Sequence, residues 1–160
     1  MFNQKDDIFF MKEALKQAKM AFNADEVPVG AVVVHQNKII AKAHNQVELL
    51  KDPTAHAEML VLTQACNSLQ NKWLLDCTIY VTIEPCSMCA GAIVHSRISR
   101  VVFGASEPRA GAAGSVINLL QNEQFNHQTN VTSGVLAEEC AQILKDFFVM
   151  RRKFMRRKKA

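Results

Sequence analysis

Four residues of this chain have the types and the spacing of a metal-dependent hydrolytic site. His56 and Glu58 lie two positions apart. Cys86 follows directly after Pro85, and Cys89 lies three positions further along. A structural zinc ion is normally held by four protein ligands, whereas a hydrolytic zinc ion has three and leaves its fourth position to water. We therefore predict that His56, Cys86 and Cys89 bind one Zn²⁺ per subunit. Glu58 is then left over to transfer protons, so we predict that it is the catalytic residue.

The chemistry follows from this ligand set. Thiolate sulfur combined with imidazole favours zinc over magnesium or calcium, and zinc lowers the pKa of bound water from 15.7 to roughly 7. If the substrate is an aminated heteroaromatic ring, we expect the resulting hydroxide to attack the ring carbon that carries the amino group, while Glu58 passes the proton to the adjacent ring nitrogen and helps ammonia to leave. H-x-E followed by P-C-x-x-C is the signature of zinc nucleobase deaminases. A C-x-x-C pair alone could also be a redox site, and the addition of His56 and Glu58 makes zinc the favoured interpretation.

The motif requires two helix N-termini to meet. Residues two apart in the middle of a helix point to different sides, so His56 and Glu58 are predicted to lie at a helix entrance. Cys86 and Cys89, at i and i+3, lie on one face of a first turn, and Pro85 suits a helix start. The dipoles of both helices favour negative charge and help to keep the two cysteines as thiolates.

The surrounding pattern predicts a three-layer α/β/α domain with a mixed sheet of about five strands and helices on both faces. An amphipathic helix covers residues 8–22, and strands 29–35 and 38–45 flank a turn at residues 36–37. A helix from 53 to about 70 precedes strand 77–84. A helix from 85 to about 95 then leads to strand 100–103, and this βαβ crossover makes the two strands parallel. A helical turn at 116–120, a strand at 131–136 and a long helix from 137 complete the prediction.

Composition limits the alternatives. The chain has 160 residues, 49% of them hydrophobic, and this length is typical of one domain. We therefore expect a single domain over residues 1–160. Five cysteines at irregular spacing do not suggest a disulfide framework. No secretory signal is visible, and no apolar run approaches the ~20 residues that span a bilayer. We expect a soluble, cytoplasmic protein without a membrane partner.

The charge is unevenly distributed. Residues 151–159 contain seven of the nineteen basic residues and no acid, whereas residues 1–150 hold twelve basic residues against fifteen acids and carry −3. This basic C-terminal helix end indicates contact with a polyanion such as RNA. The alternative interpretation, that residues 151–159 are a solvated helix end that only aids solubility, remains open at this point.

Seven blocks of sequence, which include the metal motif and extend well beyond it over nearly the whole chain, are residues 26–31, 52–58, 84–92, 95–98, 101–105, 111–115 and 146–148. Together they resemble the bacterial tRNA-specific adenosine deaminases, which belong to the cytidine/deoxycytidylate deaminase superfamily. The metal motif alone is shared with cytosine, guanine and deoxycytidylate deaminases, so the flanking sequence carries the more specific resemblance.

The resemblance implies a cytidine-deaminase-like fold and a homodimer that converts the wobble adenosine of an arginine tRNA anticodon to inosine. The implied partner is the tRNA anticodon stem-loop, and DNA is not expected as a natural substrate. A buried adenine must leave its stack, and that costs least in a single-stranded loop. The residues implied to contact the substrate are Asn45, the main chain of Ala57, Val27, Pro28 and Phe148.

Three further points stay open in the sequence. Arg151, Arg152 and Lys153 are predicted to contact phosphate. The same zinc chemistry could serve a deaminase of a free nucleobase or nucleotide. A zinc module that binds RNA without catalysis is a third possibility, and Glu58 is the residue that distinguishes an enzyme from it.

Overall fold

The computed structural model describes residues 3–159. Its helices are α1 (Gln4–Asn23), α2 (Val47–Leu50), α3 (Ala57–Leu69), α4 (Ser87–His95) and α5 (Ala137–Lys159). Its strands are β1 (Gly30–His35), β2 (Lys38–His44), β3 (Cys77–Ile83), β4 (Arg100–Ala105) and β5 (Asn130–Thr132). None of the helices within residues 3–159 has the length and apolar character needed to cross a membrane.

The five strands form one mixed sheet in the order β2-β1-β3-β4-β5. β1 pairs antiparallel with β2 and with β3, and Gln36 and Asn37 make the tight turn between the first two strands with φ of 49° and 58°. β4 pairs parallel with β3 and with β5. The parallel β3-β4 pair arises because α4 crosses over between the two strands. The predicted mixed sheet and βαβ unit are confirmed.

Helices cover both faces of the sheet, as predicted. α3 and α4 pack on one face, where Val61, Leu62 and Ile93 join the larger apolar core. α1 and α5 pack on the other, where Phe10, Met11 and Cys140 join the second core. α1 approaches β1 so closely that a Cβ on Gly30 would lie 2.1 Å from the carbonyl oxygen of Ala14. The predicted three-layer α/β/α architecture is therefore confirmed.

The third helix begins later than predicted. We expected it from residue 53, but α3 starts at Ala57 with His56 as its N-cap. The Asp52 carboxylate accepts hydrogen bonds from the backbone N–H of Thr54 at 2.8 Å and from its hydroxyl at 2.7 Å. This side chain holds residues 52–54 in a local turn in place of a helix start. The delayed start places His56, and not Thr54, at the helix entrance.

Other differences lie in the connections. The predicted helical turn at 116–120 is wrong, because the N–H groups of Val116 and Ile117 both donate to the Gly111 carbonyl and Ala113 forms an isolated bridge with Asn118. The last strand is Asn130–Thr132 and not 131–136. The short helix α2 was not predicted. Four residues are too few to show a helical period in a sequence.

Candidate metal centre and its cavity

Two helix N-termini meet at the predicted metal site. His56 is the N-cap of α3 and Cys86 is the N-cap of α4. His56 Nδ1 lies 3.7 Å from Cys86 Sγ and 3.6 Å from Cys89 Sγ. The potential ligand atoms of the three residues all lie within 4.8 Å of one another. The structure therefore brings the three sequence-predicted ligands together, and the imidazole presents Nδ1 to the two sulfurs.

The spacing of these atoms fits a tetrahedral zinc ion. Zinc–sulfur bonds of ≈ 2.3 Å and zinc–nitrogen bonds of 2.0–2.1 Å at a tetrahedral angle put sulfur and nitrogen about 3.6 Å apart. That value matches both observed separations. Among residues 3–159, the group of potential metal-ligating side chains whose ligand atoms all lie within 4.8 Å of one another is His56, Cys86 and Cys89. Glu58 is not a member of this group. Three donors can hold a metal ion and leave one tetrahedral position to another ligand.

The protein groups of the cluster influence each other strongly. A hydrogen bond with Cys89, and then one with His56, lowers the pKa of the Cys86 thiol to about 4. The same pairing with Cys86, reinforced by burial, raises the pKa of Cys89. The hydrogen bond with Cys86 also raises the pKa of His56. Metal ligation requires deprotonated thiols, so the expectation that both cysteines are thiolates stays a prediction for the metal-bound site.

Glu58 lies in the first turn of α3, and only 3% of it is exposed. Burial is the largest influence on this carboxyl group and raises its pKa to about 7. Its side chain also contacts the Cys89 thiol. Glu58 is thus a buried carboxyl group beside the three metal-ligating side chains, as the H-x-E spacing predicted.

A cavity of 530 Å³ opens in front of these residues. His56, Glu58 and Cys86 are among its lining residues. The site lies past the carboxyl end of β3, which is where ligands bind in many open α/β sheets. Other lining residues come from the loop before β1, the segments that flank α2, α2 itself, the end of β3, the segment after β4 and α5, and include Val27, Asn45, Val47, Glu107, Phe147 and Phe148.

The structure places some of the predicted substrate residues in the cavity wall and others behind it. Val27, Asn45 and Phe148 line the cavity. Pro28 and Ala57 are buried outside the lining residues. The N–H of Ala57 donates to Asn45 Oδ1 at 2.7 Å. This bond fixes the orientation of the Asn45 amide and occupies the N–H of Ala57.

The three predicted phosphate contacts lie on α5. Arg151 lines the cavity. Arg152 and Lys153 are exposed on α5 outside the lining residues.

Two buried carboxylates beside the cavity were missed by sequence reasoning. Glu26, 2% exposed, accepts hydrogen bonds from the N–H groups of Glu48 at 3.0 Å and Leu49 at 2.7 Å, and so ties α2 to the loop before β1. Glu84, also 2% exposed, accepts hydrogen bonds from the segment after β4. The signals in the sequence were the position of Glu84 directly before Pro85 of the metal motif and the place of both residues at the start of the blocks 26–31 and 84–92.

Comparison with known proteins agrees with this geometry. Residues 4–152 match the family model for MafB19-like deaminases, so fold and site together define a deaminase. The chain is 53% identical to the tRNA-specific adenosine deaminase of Bacillus subtilis (strain 168), over 96% of this chain and 94% of the relative. It is 49% identical to that of Aquifex aeolicus (strain VF5), over 88% and 92%.

A solved structure extends the likeness to three dimensions. It was described in a study of A-to-I editing by tRNA:A34 deaminases at the wobble position of transfer RNA. It matches with a TM-score of 0.82 and 42% identity, over 85% of this chain and 99% of that one. The chain therefore belongs to the family of the tRNA-specific adenosine deaminases.

Proposed function

We propose that the protein hydrolytically deaminates the wobble adenosine of a tRNA anticodon to inosine, with release of ammonia. The observation that carries this proposal is a cavity lined by the buried Glu58 and by His56 and Cys86 of the His-Cys-Cys group, in a chain of this family. Following the resemblance, we propose an arginine tRNA as substrate. We also propose a homodimer that acts in the cytoplasm.

We propose that the metal is zinc, one ion per subunit, held by His56, Cys86 and Cys89. The donor set supports this, because two sulfurs and one imidazole suit zinc and disfavour magnesium and calcium. When bound, zinc with an open coordination position activates water for attack at neutral pH.

We propose that Glu58 moves the protons. Its carboxyl group takes up a proton released from water and delivers it to the ring nitrogen beside the carbon that carries the amino group. The proton that remains on the added hydroxyl then passes through Glu58 to the amino nitrogen. The carbon–nitrogen bond breaks, ammonia leaves and the keto form of the base remains. A positioned general acid–base group of this kind contributes about 10²–10⁴-fold to the rate, and burial behind the cavity keeps bulk water from competing for the proton.

We propose that the other predicted residues hold the flipped nucleoside. Asn45, whose Oδ1 is fixed by Ala57, is oriented to direct its amide at the substrate. A contact between the base and the main chain of Ala57 has to use an atom other than its N–H unless the bond to Asn45 breaks. Val27 and Phe148 supply apolar wall, and Pro28 supports the wall from behind. Arg151 and Arg152 meet phosphate.

Substrate choice tests the proposal. Purified protein is offered an anticodon stem-loop RNA with adenosine at the wobble position and, in separate reactions, adenosine, cytosine and guanine. Ammonia release and inosine formation are measured for each. We expect turnover of the stem-loop and little turnover of the free compounds. Deamination of the free compounds alone would overturn the assignment in favour of a free-base enzyme, and no deamination at all would favour a binding module.

Glu58→Gln tests the catalytic role. The change keeps the size of the side chain but removes its ability to accept and return a proton, so we expect deamination to fall by about 10²–10⁴-fold. Zinc content per subunit should remain that of the wild type, because Glu58 lies outside the ligand group. The matched control is Glu123→Gln, the same chemical change at an exposed residue that does not line the cavity, with activity close to wild type. Wild-type turnover in Glu58→Gln would refute the role.

A further inference from the structure

The last three turns of α5 extend beyond the core of the protein. Phe147 is the last buried residue of this helix, and residues 148–159 are all exposed. At 1.5 Å per residue, the helix from Phe148 to Lys159 is about 16 Å long. A segment of this length with no buried residue contributes little to the core, and its sequence is free to serve a surface role.

Two shallow grooves lie along this segment. The first, here called the cavity-side groove, has a volume of 300 Å³ and is formed by Phe148, Arg151, Arg152, Met155, Arg156 and Lys159. The second, here called the far-side groove, has a volume of 390 Å³ and is formed by Asp146, Val149, Met150, Lys153, Phe154 and Arg157. With 3.6 residues per turn, these two sets lie on opposite faces of one helix.

Only the cavity-side groove is continuous with the cavity. Phe148 and Arg151 belong to both the groove and the cavity wall. The cavity-side groove is therefore an extension of the cavity along the helix, whereas the far-side groove shares none of the residues that line the cavity.

The two grooves also differ in charge. The cavity-side groove contains three arginines, one lysine and no carboxylate. The far-side groove contains Lys153 and Arg157 but also Asp146, which reduces its net positive charge. Arginine binds phosphate through a planar fork of N–H groups, and the exposed ring of Phe148 at the junction can stack on a base.

We propose that the cavity-side groove binds the sugar–phosphate backbone of the RNA as it leaves the cavity, and that the far-side groove does not. The inference rests on the proposed function. It assigns Arg152, Arg156 and Lys159 to RNA binding and leaves out Lys153, which the sequence had grouped with Arg151 and Arg152. These residues act on affinity and not on the chemical step, because all three lie outside the cavity.

Two double variants separate the faces at constant charge. Arg156→Ala/Lys159→Ala removes one arginine and one lysine from the cavity-side groove. Arg157→Ala/Lys158→Ala removes the same two residue types at the same mean position along α5, outside that groove; Lys158 lies over the ring of Phe154, a far-side residue. All four side chains are exposed and alanine favours helix, so neither variant is expected to disturb folding.

Binding of the anticodon stem-loop is measured by fluorescence anisotropy over a range of salt concentrations, together with kcat and KM. For the cavity-side pair we expect a Kd roughly fivefold to thirtyfold weaker and a salt-dependence slope smaller by about 1.4–1.8, with kcat unchanged. For the other pair we expect a change below about twofold. Circular dichroism of both variants checks that the helix is retained.

The outcomes separate this inference from the proposed function. Equal weakening in both variants, with wild-type deamination of the stem-loop intact, would overturn the groove assignment and leave the function standing. Failure of the wild type to bind or deaminate the stem-loop would overturn both. Loss of binding to vesicles of phosphatidylserine and phosphatidylcholine in the cavity-side variant, with RNA binding unchanged, would assign the groove to a membrane and also refute the inference.

Discussion

Replacing Glu84 by Gln should weaken the attachment of the segment after β4, which lies beside the candidate metal site. Glu84 Oε1 accepts hydrogen bonds from the N–H groups of Ala113 at 3.1 Å and Ser115 at 3.0 Å. Oε2 accepts from the N–H of Glu107 at 2.9 Å and from the Ser115 hydroxyl. One buried carboxylate therefore holds three backbone N–H groups and a hydroxyl. Ala112 N–H adds a bond to the Pro85 carbonyl at 2.8 Å, next to the candidate ligand Cys86.

The size of the effect follows from the number of acceptors. In its better orientation, a glutamine at position 84 keeps its oxygen toward Ala113 and Ser115 and turns its amide nitrogen toward the N–H of Glu107. The Ser115 hydroxyl can rotate to accept from that nitrogen, but the Glu107 N–H loses its acceptor, at a cost of about 1–3 kcal/mol. The remaining bonds also lose their charge assistance. We expect unfolding to be easier by about 3 kcal/mol, or a Tm lower by about 6–12 °C.

The loss should depend on pH. Burial raises the pKa of Glu84, but hydrogen bonds from Ser115 and from the backbone N–H groups outweigh it, so the pKa is lowered overall. A carboxylate with a depressed folded-state pKa contributes stability above its unfolded pKa, about 4.3, and loses it as pH falls through the folded value. The difference between wild type and variant should therefore be constant from neutral pH down to about 5 and shrink in more acidic solution.

Urea unfolding at several pH values measures the free energy, and hydrogen exchange at the amide of Glu107, which loses its acceptor, reports the local effect. The control is Glu123→Gln, the same chemical change at an exposed position, which should leave the free energy within about 0.5 kcal/mol of wild type. KM for the stem-loop should rise, because Glu107 and Ala110 line the cavity. A variant as stable as wild type, with unchanged exchange, would refute the role given to Glu84.

Gly111→Ala tests the same contact from the other side. A Cβ at position 111 would lie 2.4 Å from Glu84 Cδ and 2.5 Å from the carbonyl oxygen of Glu107, so the carboxylate or the loop must move. We expect the two substitutions to be non-additive, because both disrupt one contact. Additive losses in the double variant would show that Gly111 and Glu84 act independently.

Two other buried contacts give further predictions. The Asp7 carboxylate accepts two hydrogen bonds from Arg100 and one from the Tyr80 hydroxyl, all at 2.8 Å, so Asp7→Asn should lower the free energy of unfolding by about 3–5 kcal/mol; a Tm within 2 °C of wild type would contradict this. Asn45→Ala should leave the Ala57 N–H without its acceptor, lower stability by about 1–3 kcal/mol and raise KM. An unchanged KM would show that Asn45 serves α3 alone.

The sequence identified the parts of this site that depend on local spacing. The pair His56 and Glu58 implies a helix entrance, and Cys86 with Cys89 implies the first turn of another helix, and both are present in the structure. Strand alternation and the crossover between β3 and β4 were also predictable, because each depends on neighbours along the chain. Errors occurred where a side chain competes with the helical pattern, as Asp52 does before α3.

Contacts between distant segments could not be predicted in the same way. Glu26 and Glu84 accept N–H groups 22 or more positions away along the chain, and no periodicity encodes such a pairing. An isolated glutamate in a sequence is most often exposed, so the sequence did not show that these two are buried acceptors, although both lie in the blocks that carry the resemblance. Both carboxylates fix segments that wall the cavity but carry no metal ligand. The candidate metal ligands and Glu58 can thus be found from a short sequence motif. The walls of the cavity, by contrast, are fixed by the buried carboxylates of Glu26 and Glu84, which the motif does not contain.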